Sequence, residues 1–240
     1  MKILVTNDDG IRAEGLKILV EEAQKFGEVL VVSPKVEQSG KSHAINVSSG
    51  IEITKYEDLF PGVIAYSVDS TPADCVRYAH YQLKYDFDVV FSGINNGYNV
   101  GEDILYSGTV AAATEAVFCG KKGIAFSCAR GTVSQIQPVF KKALNYIIKN
   151  NILKYGNLFN VNFNPNSKDI VITHQGKTVY DTHFIVKEDG LYYQRGKGYF
   201  DLNKNKDSDV YAVNNDYISI SPLTADRTNY SVFYKLTNHK

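Results

Sequence analysis

Through the first half of the chain, short β-branched runs alternate with stretches whose apolar residues recur at helical spacing. The strand-length runs are residues 3–6, 29–33, 88–92 and 124–128. Between the first two, residues 15–26 place Leu16, Leu19, Val20 and Ala23 on one face and stop at Gly27, which predicts an amphipathic helix. Thr71 followed by Pro72, with Asp74 in the first turn, predicts a capped helix running to about residue 83. Residues 107–118 read as an alanine-rich helix stopped by Gly120, and residues 137–149 as a helix with lysines on its outer face. Strands alternating with helices predict parallel strands joined by crossover helices. The expected fold is therefore α/β, a Rossmann-like three-layer sandwich with a mostly parallel sheet.

After Asn150 the helical spacing gives way to alternation, and Asn, Tyr and Lys become more frequent. Residues 178–186 and 191–200 flank Lys187-Glu188-Asp189-Gly190, a sequence suited to the turn of a β-hairpin. Residues 217–221 alternate apolar and polar before Pro222, which predicts a late strand returning to the core. The expectation is one compact domain over residues 1–240, with a parallel core at 1–150 and a β-rich extension at 151–240. Tyr180, Phe184, Tyr192, Tyr193, Tyr199 and Phe200 make the hairpin too aromatic to be left in water. It is read as an oligomerisation element outside the catalytic core.

Composition changes this picture little. Twenty-six basic and 26 acidic residues create no overall field that would hold a nucleic-acid polymer or an anionic membrane. The apolar runs are far shorter than the roughly 20 residues a membrane span needs. A strand beginning at Lys2 leaves no room for a secretory signal, and Cys75, Cys119 and Cys128 form no CxxC pair. Reduced cysteines and a cytoplasmic location are expected. His43, His80, His174, His183 and His239 show no metal-site spacing and read as structural or surface groups.

Candidate chemistry lies at strand ends, because ligands of an open parallel sheet bind beyond the carboxyl ends of its strands. The first strand ends in Asp8-Asp9-Gly10. Two adjacent carboxylates at an exposed tip repel unless a hard cation neutralises them, although on the dipeptide alone a helix cap beside a solvated carboxylate is the commoner arrangement. The second strand enters a polar loop at residues 33–43 whose Gly40-Lys41-Ser42 lacks the earlier glycine and following helix of a Walker A motif. The third loop, residues 92–101, carries Asn95, Asn96, Asn99 and three glycines. Tyr106-Ser107-Gly108-Thr109 then opens the alanine-rich helix, whose free N–H groups suit a phosphate.

VTNDDG, the Ser39-Gly40 pair, STPADCV from Ser70, SGINNGYNVGEDILYSGTVAAATEA from Ser92 and YISISPLTADRT from Tyr217 occur in that order. Together they resemble the survival-protein SurE family of metal-dependent nucleotidases. The resemblance implies Asp8, Asp9, Ser39 and Asn95 as ligands of one magnesium or manganese ion per subunit. It implies Asp8 and Asp9 as catalytic, and Asn96, Ser107, Gly108 and Thr109 as phosphate-binding. It further implies a homodimer or homotetramer that dephosphorylates nucleoside 5′-monophosphates, with 3′-monophosphates and polyphosphate as further substrates. The family commonly has an arginine where this chain has Gln38. The rival reading is a nucleotide-sensing module that uses the same cradle without turnover.

Overall fold

The computed structural model describes residues 1–196, 198–200 and 205–237. Its strands run in chain order as β1 (Lys2–Thr6), β2 (Glu28–Pro34), β3 (Ile53–Phe60), β4 (Val63–Val68), β5 (Val89–Asn96), β6 (Lys122–Cys128), β7 (Leu158–Phe163) and β8 (Asp169–Ile172). Four short strands follow, β9 (Thr178–Tyr180), β10 (His183–Val186), β11 (Tyr192–Arg195) and β12 (Gly198–Phe200), and then β13 (Tyr217–Pro222). The helices are α1 (Glu14–Ala23), α2 (Pro72–Arg77), α3 (Gly108–Phe118), α4 (Gln137–Lys149), α5 (Asp209–Asn214) and α6 (Tyr230–Thr237). The helical spacings of the sequence thus form α1 to α4, and α2 is prolonged by a wider turn over Tyr78–Gln82. Thr71 caps α2 as its sequence predicts, its hydroxyl accepting the Asp74 N–H at 3.2 Å.

One nine-stranded sheet has the order β3-β4-β2-β1-β5-β6-β7-β13-β8. β4, β2, β1, β5, β6 and β7 run parallel, and antiparallel β3 closes one edge. The late strand does more than return to the core. β13 inserts between β7, to which it is antiparallel, and β8, to which it is parallel, so the sheet continues well past Asn150.

Alternation along each strand sends neighbouring residues to opposite faces. On one face Ile3, Val5, Val31 and Phe91 pack with Leu16 and Leu19 of α1 and with Phe140 and Leu144 of α4. On the other, Leu4, Leu30, Val32 and Val90 meet Cys75 and Val76 of α2 and Ala112 and Ala116 of α3. Each fully buried Leu or Phe contributes about 1.5–3 kcal/mol, so both layers hold the sheet rigidly. Chain order reverses at β1, because the crossover to β2 goes one way and β5 joins on the other side. The crevice between the tips of β1 and β5 is the place where such a fold binds ligands.

The expected hairpin forms as two ladders in one register. Val186 faces Tyr192 and His183 faces Arg195 in the outer ladder, while Tyr180 faces Gly198 and Thr178 faces Phe200 in the inner one. The side chains of Tyr199 and Phe200, counted among its aromatics, lie outside the described set, as does His239.

Candidate active site

A cavity of about 740 Å³ opens over the tips of β1 and β5, and Asp8, Asp9, Ser39, Asn95, Asn96 and Ser107 all line it. These residues come from four separate loops, and hydrogen bonds between the loops explain why they meet. The Gln38 N–H donates to the Asp8 carbonyl at 2.7 Å, seating the second loop beside the first. Asn96 donates its N–H to Asp9 Oδ2 at 3.1 Å, tying in the third. Ser42 donates through its N–H to the Tyr106 carbonyl at 3.0 Å and through its hydroxyl to the Leu105 carbonyl at 2.6 Å. That pair docks the second loop on the approach to α3. Farther along it, His43 Nε2 lies 2.7 Å from Glu115 Oε2, whose other oxygen accepts from Arg77 at 3.0 Å, which is the structural role expected of His43.

Asp8 corrects one expectation. The aspartate pair does not stand at an exposed tip, since Asp8 is only 5 % exposed. Burial pushes its carboxyl up to about 6, against the pull of the Thr109 hydroxyl, and the neighbouring Asp9 pushes the same way. Asp9 is also shifted up, mainly by burial and further by Glu37, while the Asn96 N–H and Arg130 oppose the shift. Two carboxylates that resist ionisation side by side suit a divalent cation, whose charge removes the penalty on both.

The neutral donors fit the same ion. Asn95 donates its amide to the Gly97 carbonyl at 2.7 Å, leaving its side-chain oxygen as the group it can offer. Ser39 donates its hydroxyl proton to Glu37 at 2.5 Å, which leaves its lone pairs to coordinate. Among the described residues no group of three or more His, Cys, Asp or Glu side chains is placed to hold a metal ion. Two carboxylates with neutral oxygens offer oxygen donors, the kind that hard divalent cations prefer.

The start of α3 supplies the complementary half. Ser107 caps the helix by accepting the Val110 N–H at 3.1 Å, and its own hydroxyl proton remains available. Gly108 lies close against the pair, since a Cβ there would come within 3.0 Å of the Asp8 Cβ and force a shift of a few tenths of an ångström. Thr109 reaches the site differently from the expectation. It is fully buried, does not line the cavity, and donates its hydroxyl to Asp8 Oδ1 at 2.5 Å, so the hydroxyl is engaged by the carboxylate.

Sequence reasoning missed several residues. Asn99 is held from below by β7, as Asn160 and Asn162 both donate to its carbonyl, at 2.7 and 3.0 Å, and Asn162 accepts its N–H at 2.9 Å. Two asparagines alternating in a fully buried strand were the available signal. Asp209, fully buried, accepts the N–H groups of Gly101 and Gly176 at 3.0 and 2.7 Å and fixes the far end of the same loop. Arg130, Tyr98 and Tyr106 also line the cavity. So does Tyr180 of β9, whose hydroxyl donates to Asp103, and the base of the hairpin is therefore part of this wall. Tyr180 thereby corrects the expectation that the hairpin stands wholly outside the site.

The chain matches the family described as survival protein SurE over residues 3–182. A 5′-nucleotidase SurE of Alkaliphilus metalliredigens is 39 % identical over 254 residues, covering 99 % of this chain and 98 % of that protein. One of Geobacter metallireducens is also 39 % identical, covering 96 % of this chain and 94 % of that protein. The crystal structure of a SurE protein from Aquifex aeolicus is 32 % identical, covers 99 % of both chains and superposes with a TM-score of 0.83. The parallel sheet, its switch-point crevice and these full-length matches lead to one conclusion: the chain belongs to the survival protein SurE family.

Proposed function

We propose that this chain is a divalent-metal-dependent 5′-nucleotidase that hydrolyses the phosphate ester of nucleoside monophosphates in the cytoplasm. The observation that carries this reading is the meeting of an aspartate pair, Asp8 buried and Asp9 half-buried, with a helix start in one crevice. Relatives nearly as long as this chain are named 5′-nucleotidase, which supports the substrate class.

Asp8, Asp9, Ser39 and Asn95 would hold one magnesium or manganese ion. Such an ion, when bound, supplies Lewis-acid polarisation of a phosphoryl oxygen and a lowered pKa for bound water. The chain's own groups do the rest. N–H groups in the first turn of α3, the Ser107 hydroxyl and the Asn96 amide donate to phosphoryl oxygens, where charge grows as the ester bond breaks. Asp9, with one carboxylate oxygen engaged by the Asn96 N–H, keeps the other to accept a proton from the attacking water. Thr109 holds Asp8 in place.

The assay is release of phosphate from AMP with and without EDTA, repeated with 3′-AMP and polyphosphate, the additional substrates of this reading. Turnover abolished by EDTA and restored by manganese is the expected result. Nucleotide binding with no turnover under any metal would make the chain a sensor.

The assembly is proposed to be a homodimer or homotetramer. Phe184, Val186 and Tyr192 at the hairpin tip are 63, 56 and 73 % exposed, more apolar surface than a lone hairpin keeps in water. Light scattering of the purified chain tests this, and a monomer would contradict it. Among the described residues no helix is long and apolar enough to cross a membrane.

A further inference from the structure

The cavity over the aspartate pair has an unbalanced charge. Asp8, Asp9, Glu37 and Asp103 line it, and among the described residues the one cationic side chain facing them is Arg130. A divalent ion offsets two of those carboxylates and leaves nothing for a phosphate monoester, which arrives as a dianion near neutral pH. Helix-start amides and asparagines bring dipoles but no net charge.

Arg130 is well placed to supply it. It follows β6 in a turn where Thr132 donates its N–H to the Ala129 carbonyl at 3.2 Å, and Gly131 has φ +78°, which any side chain would strain. The Gly131 N–H donates to Asn96 Oδ1 at 2.7 Å, and Asn96 in turn donates to Asp9. Two consecutive hydrogen bonds thus lock the backbone beside Arg130 to the aspartate pair. Its guanidinium, by contrast, has no hydrogen bond in the protein and no carboxylate within 4.0 Å among the described residues. Arg130 is exposed at the cavity wall on a turn whose backbone is fixed, and a guanidinium with its donors uncommitted among carboxylates is suited to take an anion.

We propose that Arg130 is the phosphate-anchoring residue of this site, its guanidinium pairing with the phosphoryl oxygens left open by α3 and the metal ligands. The assignment rests on the phosphate lying at the strand tips, as in the proposed function.

The test compares wild type with Arg130→Gln, Arg130→Lys and Asp8→Asn, in each case by AMP kinetics at saturating manganese. Inhibition by inorganic phosphate and manganese affinity without substrate, read by electron paramagnetic resonance, complete the set. Arg130→Gln should raise KM and the phosphate inhibition constant roughly ten- to hundredfold, the range for losing a charge-assisted hydrogen bond, with kcat within about threefold. Arg130→Lys should recover part of that loss. Manganese should bind Arg130→Gln at least as tightly as wild type, since a repelling charge has gone. Unchanged KM and phosphate inhibition in Arg130→Gln overturn the proposal. So does equal impairment of the Gln and Lys variants with weakened manganese binding, which would make Arg130 a support of its loop only. An inactive Asp8→Asn beside an unaltered Arg130→Gln sinks Arg130 alone. Full activity in Asp8→Asn sinks the site itself.

Discussion

The strand-tip loops and the outer hairpin are both irregular additions to the same sheet, yet they are held in opposite ways. Around Asp8 every loop is bonded to its neighbour, through Gln38 to the Asp8 carbonyl, Asn96 to Asp9, Ser42 to the approach to α3 and Asn99 to β7. In the outer hairpin all four residues of β10 are exposed and its one ladder is with β11. The division runs through the hairpin itself, because at its base Thr178 donates through its hydroxyl to Glu102 and Tyr180 to Asp103. Helix α6 resembles the tip, with no buried residue and with Val232, Phe233, Tyr234 and Leu236 outward. Preorganisation needs contacts supplied by the subunit itself, whereas an element with few of its own has low local stability until something covers it.

The sharpest way to break this contrast is at the aspartate pair. Asp8→Asn and Asp9→Asn should each lower turnover at least a hundredfold, the cost of removing a metal-binding charge being roughly 3 kcal/mol or more. Retained activity in either, measured with AMP and manganese, would show that the aspartate pair is merely structural.

Stability against pH gives the next largest effect. The folded carboxyl of Asp8 is pushed up to about 6, above its unfolded value, so without metal the folded state binds the extra proton. Metal-free protein should therefore lose stability as pH rises from about 4 through 6, by roughly 3 kcal/mol at most. Denaturant unfolding at pH 5 and pH 7.5 should show this loss in wild type, a smaller one in Asp8→Asn, and recovery of wild type with manganese. Equal slopes in both proteins would mean that Asp8 ionises freely.

Thr109→Val should reduce kcat about tenfold through Asp8, the hydrogen bond to a charged group being worth about 1.5–3 kcal/mol, and leave phosphate inhibition nearly unchanged. Ser107→Ala should do the reverse and weaken inhibition by phosphate. Identical profiles for the two would erase the distinction between support and contact.

Least should happen to activity when residues 183–195 are replaced by a short glycine linker, since that removes the tip and keeps Tyr180. AMP turnover should stay within about twofold while light scattering reports a smaller assembly. An unaltered assembly would place the subunit contact elsewhere, with α6 the next surface to remove.

What the chain alone determined follows from local periodicity and capping. Helices α1 to α4, the four parallel strand runs, the hairpin turn and the Asp8-Asp9, Asn95-Asn96 and Ser107-Gly108 segments were legible because their signals lie within a few residues of one another. Tertiary structure decided the rest. The edge pair β3–β4 and the insertion of β13 between β7 and β8 depend on partners distant in the chain, which no local pattern encodes. Burial of Asp8, commitment of Thr109 to it, support of Asn99 by Asn160 and Asn162, and entry of Arg130 and Tyr180 into the cavity share one cause. Each depends on which strand tips the sheet brings side by side, and that is set by the packing of two helical layers against both faces of the whole sheet.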